Sequence, residues 1–312
     1  MVVRLDDRKI VGVALMWVAD KWRDYELLDC SGGEKLERWG DYLLIRPDPQ
    51  AIWNTPRENA GWRNHHARYS RQKGDGKWEK SRLPESWGIG YGEMSFNVKP
   101  MSFKHTGIFP EQAANWDFVQ DQIRRETKSR RDKANGAKPV SVLNLFAYTG
   151  AATIAAALAG AEVCHVDAAR GMVNWARENA NASNASNLPI RWIVDDCKAF
   201  VEREIRRGRR YDAIIMDPPS FGRGPSGELW KLEDDLWSFV SLCAGALSDT
   251  PLFVLISSYT AGLAPSVLTY ISESIFTKRF GGSAECAELG IPVTENGLYL
   301  PCGASSRWTS GR

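Results

Sequence analysis

The sequence predicts an α/β protein: a doubly wound, mostly parallel seven-stranded sheet with a C-terminal antiparallel hairpin, preceded by a smaller β-rich domain. Three observations point there. From about Val140 onward, short apolar runs alternate with segments of helical spacing. Residues 1 to about 110 instead show short apolar stretches separated by turn residues. The last two strand-like pieces are joined by Thr294-Glu295-Asn296-Gly297, a hairpin signal. Repeated βα units require a parallel sheet covered on both faces, the Rossmann-like arrangement, with ligands held outside the carboxyl ends of its strands.

Residues 1–110 form the predicted β-rich domain. It holds seven of the thirteen tryptophans (Trp17, Trp22, Trp39, Trp53, Trp62, Trp78, Trp87), and breakers such as Ser31-Gly32-Gly33 and Pro47-Asp48-Pro49 divide its apolar stretches. The basic, polar segment from Arg57 to Lys80 reads either as a nucleic-acid surface or as a solvated excursion. Residues 111–139 are the predicted linker: helical spacing of Trp116, Val119, Gln120 and Ile123 runs into a basic stretch, Arg124 to Lys133, and Ala134-Asn135-Gly136-Ala137 supplies the stop.

Residues 140–312 carry the alternation. Strands are expected at Ser141 to Leu145, Glu162 to Asp167, Ile190 to Asp195, Tyr211 to Asp217 and Leu252 to Ser257. The helices expected between and after them are Gly150 to Leu158, Gly171 to Asn179, Ala199 to Arg206, Trp230 to Leu247 and Pro265 to Phe276. The hairpin is expected at Ala284 to Ile291 and Leu298 to Cys302.

With 312 residues, 43% hydrophobic and 25% charged, the chain can bury a large core, and a net charge of +2 carries no global field that would select a partner. The apolar run from Ile10 to Ala19 is too short to span a membrane and follows Asp6 and Asp7 rather than basic residues. The six cysteines are dispersed without a C-x-x-C pair, which argues against a disulfide framework and against a zinc site; no metal is expected, and a reducing cytoplasm is the expected location.

The first strand runs through Asn144-Leu145-Phe146-Ala147-Tyr148-Thr149-Gly150 into an alanine-rich helix, the place where a nucleotide-like ligand sits. A dinucleotide site would want G-x-G-x-x-G; here Gly150 stands alone, and Phe146 and Tyr148 would crowd a pyrophosphate, so a phosphate-free ligand is favoured. Asp167, at the end of the second strand, suits the two hydroxyls of a ribose, although an Asp at such a junction also commonly caps the helix that opens near Ala168. The third strand ends at Asp195-Asp196-Cys197, where Asp196, or Asp195 beside it, would accept a hydrogen bond from an adenine amino group.

The order N-L-F-A-Y-T-G (Asn144 to Gly150), H-V-D (His165 to Asp167), D-D-C (Asp195 to Cys197) and D-P-P-S-F (Asp217 to Phe221) resembles class I S-adenosylmethionine-dependent methyltransferases. More narrowly it is similar to the branch of ribosomal RNA large-subunit cytosine-C5 methyltransferases, from about Phe103 onward. The resemblance implies S-adenosyl-L-methionine as cofactor, bound by Asn144, Phe146, Ala147, Tyr148, Thr149, Gly150, Asp167, Ala168, Asp195, Asp196, Cys197 and Asp217. Lys104 to Gln112 resembles the family's G-x-F-x-x-Q segment, which implies a cofactor-lid role for Phe109 and Gln112. Two features depart from the branch: the strand from Val254 to Thr260 lacks the cysteine that C5 chemistry needs, and no extra N-terminal RNA-binding module is recognisable.

Methyl transfer is an in-line displacement, so the protein chiefly aligns a nucleophile and stabilises charge around it. Asp217 and the carbonyl of Pro218 would accept hydrogen bonds from an amine, the two prolines would fix the backbone, and Phe221 would stack on a planar base. The expected activity is therefore methylation of an exocyclic or ring nitrogen of an RNA base, ribosomal RNA being the partner that the resemblance implies. A small molecule or a protein side chain is the alternative acceptor, and a non-catalytic cofactor-binding scaffold the alternative of another class. The basic runs Arg124 to Lys133 and Arg203 to Arg210 are either phosphate contacts or ordinary basic helix ends.

Overall fold

The computed structural model describes residues 3–5, 8–11, 14–72, 75–79, 82–133, 138–223, 229–260 and 262–311. The loop expected at 134–137 lies outside them. The chain divides into two compact units: Met1–Ala114 with Leu289–Cys302, and Asn115–Glu288 with Gly303–Arg312.

The first unit is β-rich. Strands Tyr25–Ser31, Glu34–Trp39, Tyr42–Pro47, Ala67–Gln72 and Asp75–Glu79 form a five-stranded sheet in sequence order, and Trp87–Tyr91 pairs with Met94–Val98 as a hairpin. The first hairpin turns at Gly32 and Gly33, both left-handed (φ 59° and 77°), as a two-residue loop between twisted strands requires. Many of the tryptophans tie loops to strands. The indole N–H of Trp22 donates to Pro110 O, that of Trp53 to Cys30 O, that of Trp78 to Met101 O, that of Trp87 to Trp39 O, and that of Trp62 to Asp29 Oδ2. Arg57 stacks on Trp62 at 4.2 Å and pairs with Glu34 at 2.8 Å. Trp62 and Trp78 of the Arg57 to Lys80 segment thus belong to the framework of this unit; residues 73, 74 and 80 of the segment lie outside the described residues.

In the second unit we label strands β1 (Ser141–Leu145), β2 (Glu162–Asp167), β3 (Ile190–Val194), β4 (Ala213–Met216), β5 (Phe253–Ser258), β6 (Ser283–Pro292) and β7 (Tyr299–Thr309). The tip of the β6–β7 hairpin groups with the first unit. These seven strands take the order β6-β7-β5-β4-β1-β2-β3 within a sheet of ten strands, three more than the sequence predicts. Strands β1 to β5 pair in parallel, and β7 runs antiparallel against β5. Helices α1 (Ala113–Lys133), α2 (Ala151–Leu158), α3 (Arg170–Ala182), α4 (Cys197–Arg206), α5 (Leu232–Ala244) and α6 (Pro265–Ser272) accompany them.

Alternation along each strand splits its side chains between two cores. Val142, Val163, Ala213, Ile215 and Leu255 pack with Val119 and Ile123 of α1 and Ala156 of α2. Leu143, Leu145, Val166, Ile214 and Met216 pack with Phe200 of α4 and Phe239 of α5. Both sheet faces are therefore covered, which is what permits strands as continuously apolar as Ala213–Met216.

Two elements differ from the sequence expectation. Trp230 does not open a helix: Leu229–Lys231 is a short strand paired antiparallel with Phe221–Arg223, and α5 begins at Leu232, with Asp235 Oδ2 accepting from Lys231 N at 2.9 Å. The final strand runs on to Thr309 rather than ending at Cys302, because Ser305 and Ser306, polar in the sequence, are buried against hydroxyls of Ser257 and Ser272.

Candidate active site

The chain enters the sheet at β1, steps outward through β2 and β3, and returns to the other side of β1 as β4. The carboxyl ends of β1 and β4 thus flank the topological switch point, where an open α/β sheet leaves a crevice. Leu145 and Met216 are register partners, so the turn beginning at Phe146 and the loop beginning at Asp217 leave the sheet side by side.

The turn after β1 has unusual backbone. Phe146 (φ 55°), Tyr148 (φ 51°) and Gly150 (φ 86°) are all left-handed, a conformation that costs a non-glycine residue roughly 1 kcal/mol or more and persists only where surroundings enforce it. Here they do. Phe146 N donates to Cys197 Sγ (3.3 Å), Ala147 N to Val166 O (3.1 Å), Tyr148 N to Asp167 Oδ2 (2.8 Å) and Gly150 N to Ala147 O (3.0 Å), while Thr149 O accepts from Asn179 Nδ2 (2.9 Å). Gly150 is obligatory: a Cβ there would lie 2.8 Å from Ala176 Cβ of α3.

Beneath the turn, Asn144 Nδ2 donates to Thr153 Oγ1 at 2.9 Å, and Thr153 Oγ1 meets His165 Nδ1 at 2.9 Å. All three side chains are buried. Asn144, expected among the cofactor contacts, supports the turn from the α2 face. His165 is held neutral, its pKa lowered to about 3 by burial and by the nearby Arg177. Cys197 is likewise a strut: its sulfur receives Phe146 N, and burial pushes its thiol well above the usual range.

Asp167 joins two parts of the site. Its Oδ2 accepts from Tyr148 N and its Oδ1 from Ala169 N, both at 2.8 Å, and the residue capping α3 is Ala169. Burial raises the pKa of Asp167 while the two N–H donors oppose that shift. Each carboxylate oxygen has capacity for a further donor, so the pair suits vicinal hydroxyls. Ala168 beside it is exposed. At the end of β3, Asp195 uses Oδ1 on Asp196 N (2.9 Å) and Oδ2 on Arg203, whereas Asp196 caps α4 through Oδ1 on Ala199 N (2.8 Å). The acceptors at these strand ends suit the hydroxyls and amino group of a nucleoside, while the turn after β1 has a single glycine where the close approach of a pyrophosphate wants three.

After β4, Asp217 is half-buried, Pro218 buried, and Pro219, Ser220 and Phe221 exposed, with Phe221 at 58%. The loop is fastened by bonds the sequence did not reveal. Trp230 Nε1 donates to Pro219 O at 2.6 Å, Leu232 N to Ser220 O at 3.1 Å, and Thr260 Oγ1 to Ser220 Oγ at 2.7 Å. Trp230 also closes an aromatic trio with Phe146 (5.7 Å) and Phe239 (5.6 Å), linking the β1 turn to the β4 loop. An indole directly ahead of the acidic start of α5 was the one sequence signal for this fastening.

At the end of β5, Ser258 Oγ accepts from Thr260 N at 3.3 Å and Ser257 bonds Ser305; no thiol stands on this strand. Cys302 belongs to the first unit, donates to Leu300 O, and has its thiol pKa pushed well up by burial. Phe109 and Gln112 also belong to the first unit. There Phe109 packs edge-on against His105 at 5.0 Å, and Lys104 O accepts from Arg46 Nη1 (3.0 Å), whose guanidinium also grips the buried Glu37 at 2.6 and 2.8 Å.

Comparison with known proteins places these features in a family. Residues 60–230 match the S-adenosylmethionine-dependent methyltransferase family. A SAM-dependent methyltransferase from Agrobacterium tumefaciens, known as a crystal structure, is 34% identical with a TM-score of 0.86, covering 96% of this chain and 94% of that one. A second solved methyltransferase, complexed with SAH, shares the fold at 20% identity and a TM-score of 0.66, over 93% of this chain and 76% of that one. The ribosomal RNA large subunit methyltransferase K/L of Pseudoalteromonas atlantica is 28% identical over 221 residues, 64% of this chain and 29% of that protein. The chain spans less than a third of the length of the curated relatives it matches.

Proposed function

This chain belongs to the S-adenosylmethionine-dependent methyltransferase family, and on that premise we propose that it methylates a base nitrogen, exocyclic or in the ring, of ribosomal RNA. The observation that carries the reading is the adjacency of two loops at the switch point: the turn bound to Asp167, and the Asp217–Phe221 loop that ends in an exposed aromatic ring. When bound, S-adenosylmethionine supplies an electrophilic methyl group on a sulfonium. Asp167 accepts hydrogen bonds from the ribose hydroxyls, Asp196 accepts one from the adenine amino group, and the backbone of residues 146–150 lines the remainder.

Asp217 and Pro218 O accept hydrogen bonds from the target amine, which aims its lone pair at the methyl group. Asp217 also tolerates the proton that the amine sheds after transfer. Phe221 offers a face to the flipped base. The absence of a thiol from β5 favours nitrogen over C5, since C5 attack needs a covalent cysteine adduct. Residues 1–110 would contribute to substrate recognition, and the reaction belongs to the cytoplasm; no helix among the described residues is long and apolar enough to cross a membrane.

The test is incubation of the chain and labelled S-adenosylmethionine with RNA, protein and small-molecule fractions from cells lacking its gene, followed by mass analysis of the product. The expected product is an N-methylated base in ribosomal RNA, with Asp217→Ala at least about 100-fold slower, in the range for lost acid–base groups. Label in protein or in a small metabolite would overturn the RNA reading, and 5-methylcytosine the nitrogen reading.

A further inference from the structure

Two basic runs lie in the second unit, at the C-terminal end of α1 and at that of α4. They sit on opposite faces of the sheet, α1 on the Val142 face and α4 on the Leu143 face. Both helices deliver their C-terminal ends to the same place, the amino edge of the parallel strands. Arg130 marks it: its guanidinium bonds Lys138 O, Pro139 O and, at 3.0 Å, Asp212 Oδ2, just before β1 and β4 begin. The other run returns from α4 through left-handed Gly208 (φ 69°) and Arg209-Arg210 to Tyr211, ending two residues from the same Asp212. What the sequence keeps some eighty residues apart is thus brought to one edge of the sheet.

We propose that this amino edge docks the phosphate backbone of a folded RNA, on the side of the sheet opposite the edge that carries Asp167 and Asp217. Basic residues at helix C-terminal ends have an ordinary explanation in the helix dipole and capping. Two cations of the runs are committed elsewhere, Arg130 to the carbonyls of 138 and 139 and Arg203 to Asp195. Lys128, Arg131, Lys133, Arg206, Arg209 and Arg210 remain exposed, and the last two lie beyond any helix. Asp132, Glu162 and Asp249 are exposed along the same edge, so cations outnumber them two to one in a chain whose net charge is only +2.

The two edges are separated by the length of a strand, about 17–20 Å. An RNA that touches both therefore extends well beyond the target nucleotide, and its docking supplies sequence-independent affinity while the other edge selects the base. This inference rests on the RNA reading above.

The experiment measures binding of protein-free large-subunit ribosomal RNA to the full chain across a salt series, with calorimetry of S-adenosylhomocysteine on every variant as the control for folding. Arg206→Gln/Arg209→Gln/Arg210→Gln and, separately, Lys128→Gln/Arg131→Gln/Lys133→Gln are each expected to weaken RNA binding at least tenfold near 0.1 M salt. Each should also flatten the slope of log affinity against log salt by about 2–3, one lost phosphate contact contributing roughly 0.7–0.9. Cofactor affinity should stay within twofold. Wild-type binding matched by both variants, with an unchanged slope, overturns the docking edge and leaves the RNA reading standing. A wild-type chain that holds phosphatidylserine vesicles but no RNA at low salt overturns both.

Discussion

The indole N–H of Trp230 donates to the carbonyl of Pro219 across 2.6 Å, while the face of the same indole lies 5.7 Å from the Phe146 ring. One side chain therefore ties the loop expected to hold the acceptor to the turn expected to hold the cofactor. A neutral hydrogen bond contributes about 1 kcal/mol. Trp230→Phe, which keeps an aromatic ring but not the donor, should lower kcat about fivefold. Affinity for S-adenosylhomocysteine should move less than twofold. Equal kinetics for the variant and the wild type would reduce Trp230 to packing.

Asp167 presents two carboxylate oxygens, each already receiving one backbone N–H. Its carboxylate both shapes the turn and faces the expected ribose. Hydrogen bonds to a charged acceptor are worth about 1.5–3 kcal/mol, so Asp167→Ala should weaken S-adenosylhomocysteine binding roughly 10- to 100-fold in calorimetry. An unchanged dissociation constant would remove Asp167 from the cofactor site.

The second unit was readable because its periodicity is strong: apolar strands such as Ala213–Met216 alternate with helices, and Asp167 and Asp217, expected to carry the chemistry, stand at strand ends, Asp167 as the last residue of β2 and Asp217 just after β4. What stayed hidden depends on partners far away in sequence. Trp230 looked helical because nothing local reveals the pairing of Leu229–Lys231 with Phe221–Arg223. The continuation of the last strand past Cys302 stayed hidden because Ser305 is made compatible with burial by Asn115, at 2.9 Å, and by Ser257. Asn144 was expected at the cofactor through the motif it belongs to, and nothing local reveals that its amide bonds Thr153 Oγ1 beneath the turn.

Gly150 combines a left-handed φ with contact to α3, where an added Cβ meets Ala176 Cβ at 2.8 Å. Gly150→Ala should destabilise the protein by about 1–3 kcal/mol, the strain of a left-handed residue together with the clash. The urea midpoint should fall with the m-value unchanged. A variant as stable as the wild type would mean that α2 and α3 can separate at no cost.

His165 titrates near pH 3 in the folded protein, against 6.5 for an unhindered imidazole. The unfolded chain therefore binds a proton between those values that the folded chain refuses, and the stability contribution present above pH 6.5 is lost as pH falls toward 3. The loss is about 1.4 kcal/mol per pH unit across that window. His105, lowered to about 3 by burial and by Arg46, adds to the same trend. His165→Gln isolates the first contribution. At pH 7.5 the variant should be less stable, since the bond with Thr153 Oγ1 is disturbed, but the gap should close by about 1 kcal/mol between pH 6.5 and 5.5, where the unfolded imidazole goes from half to nearly fully protonated. Urea titrations at the two pH values measure the gap, and parallel stability curves would show that His165 carries its proton in the fold.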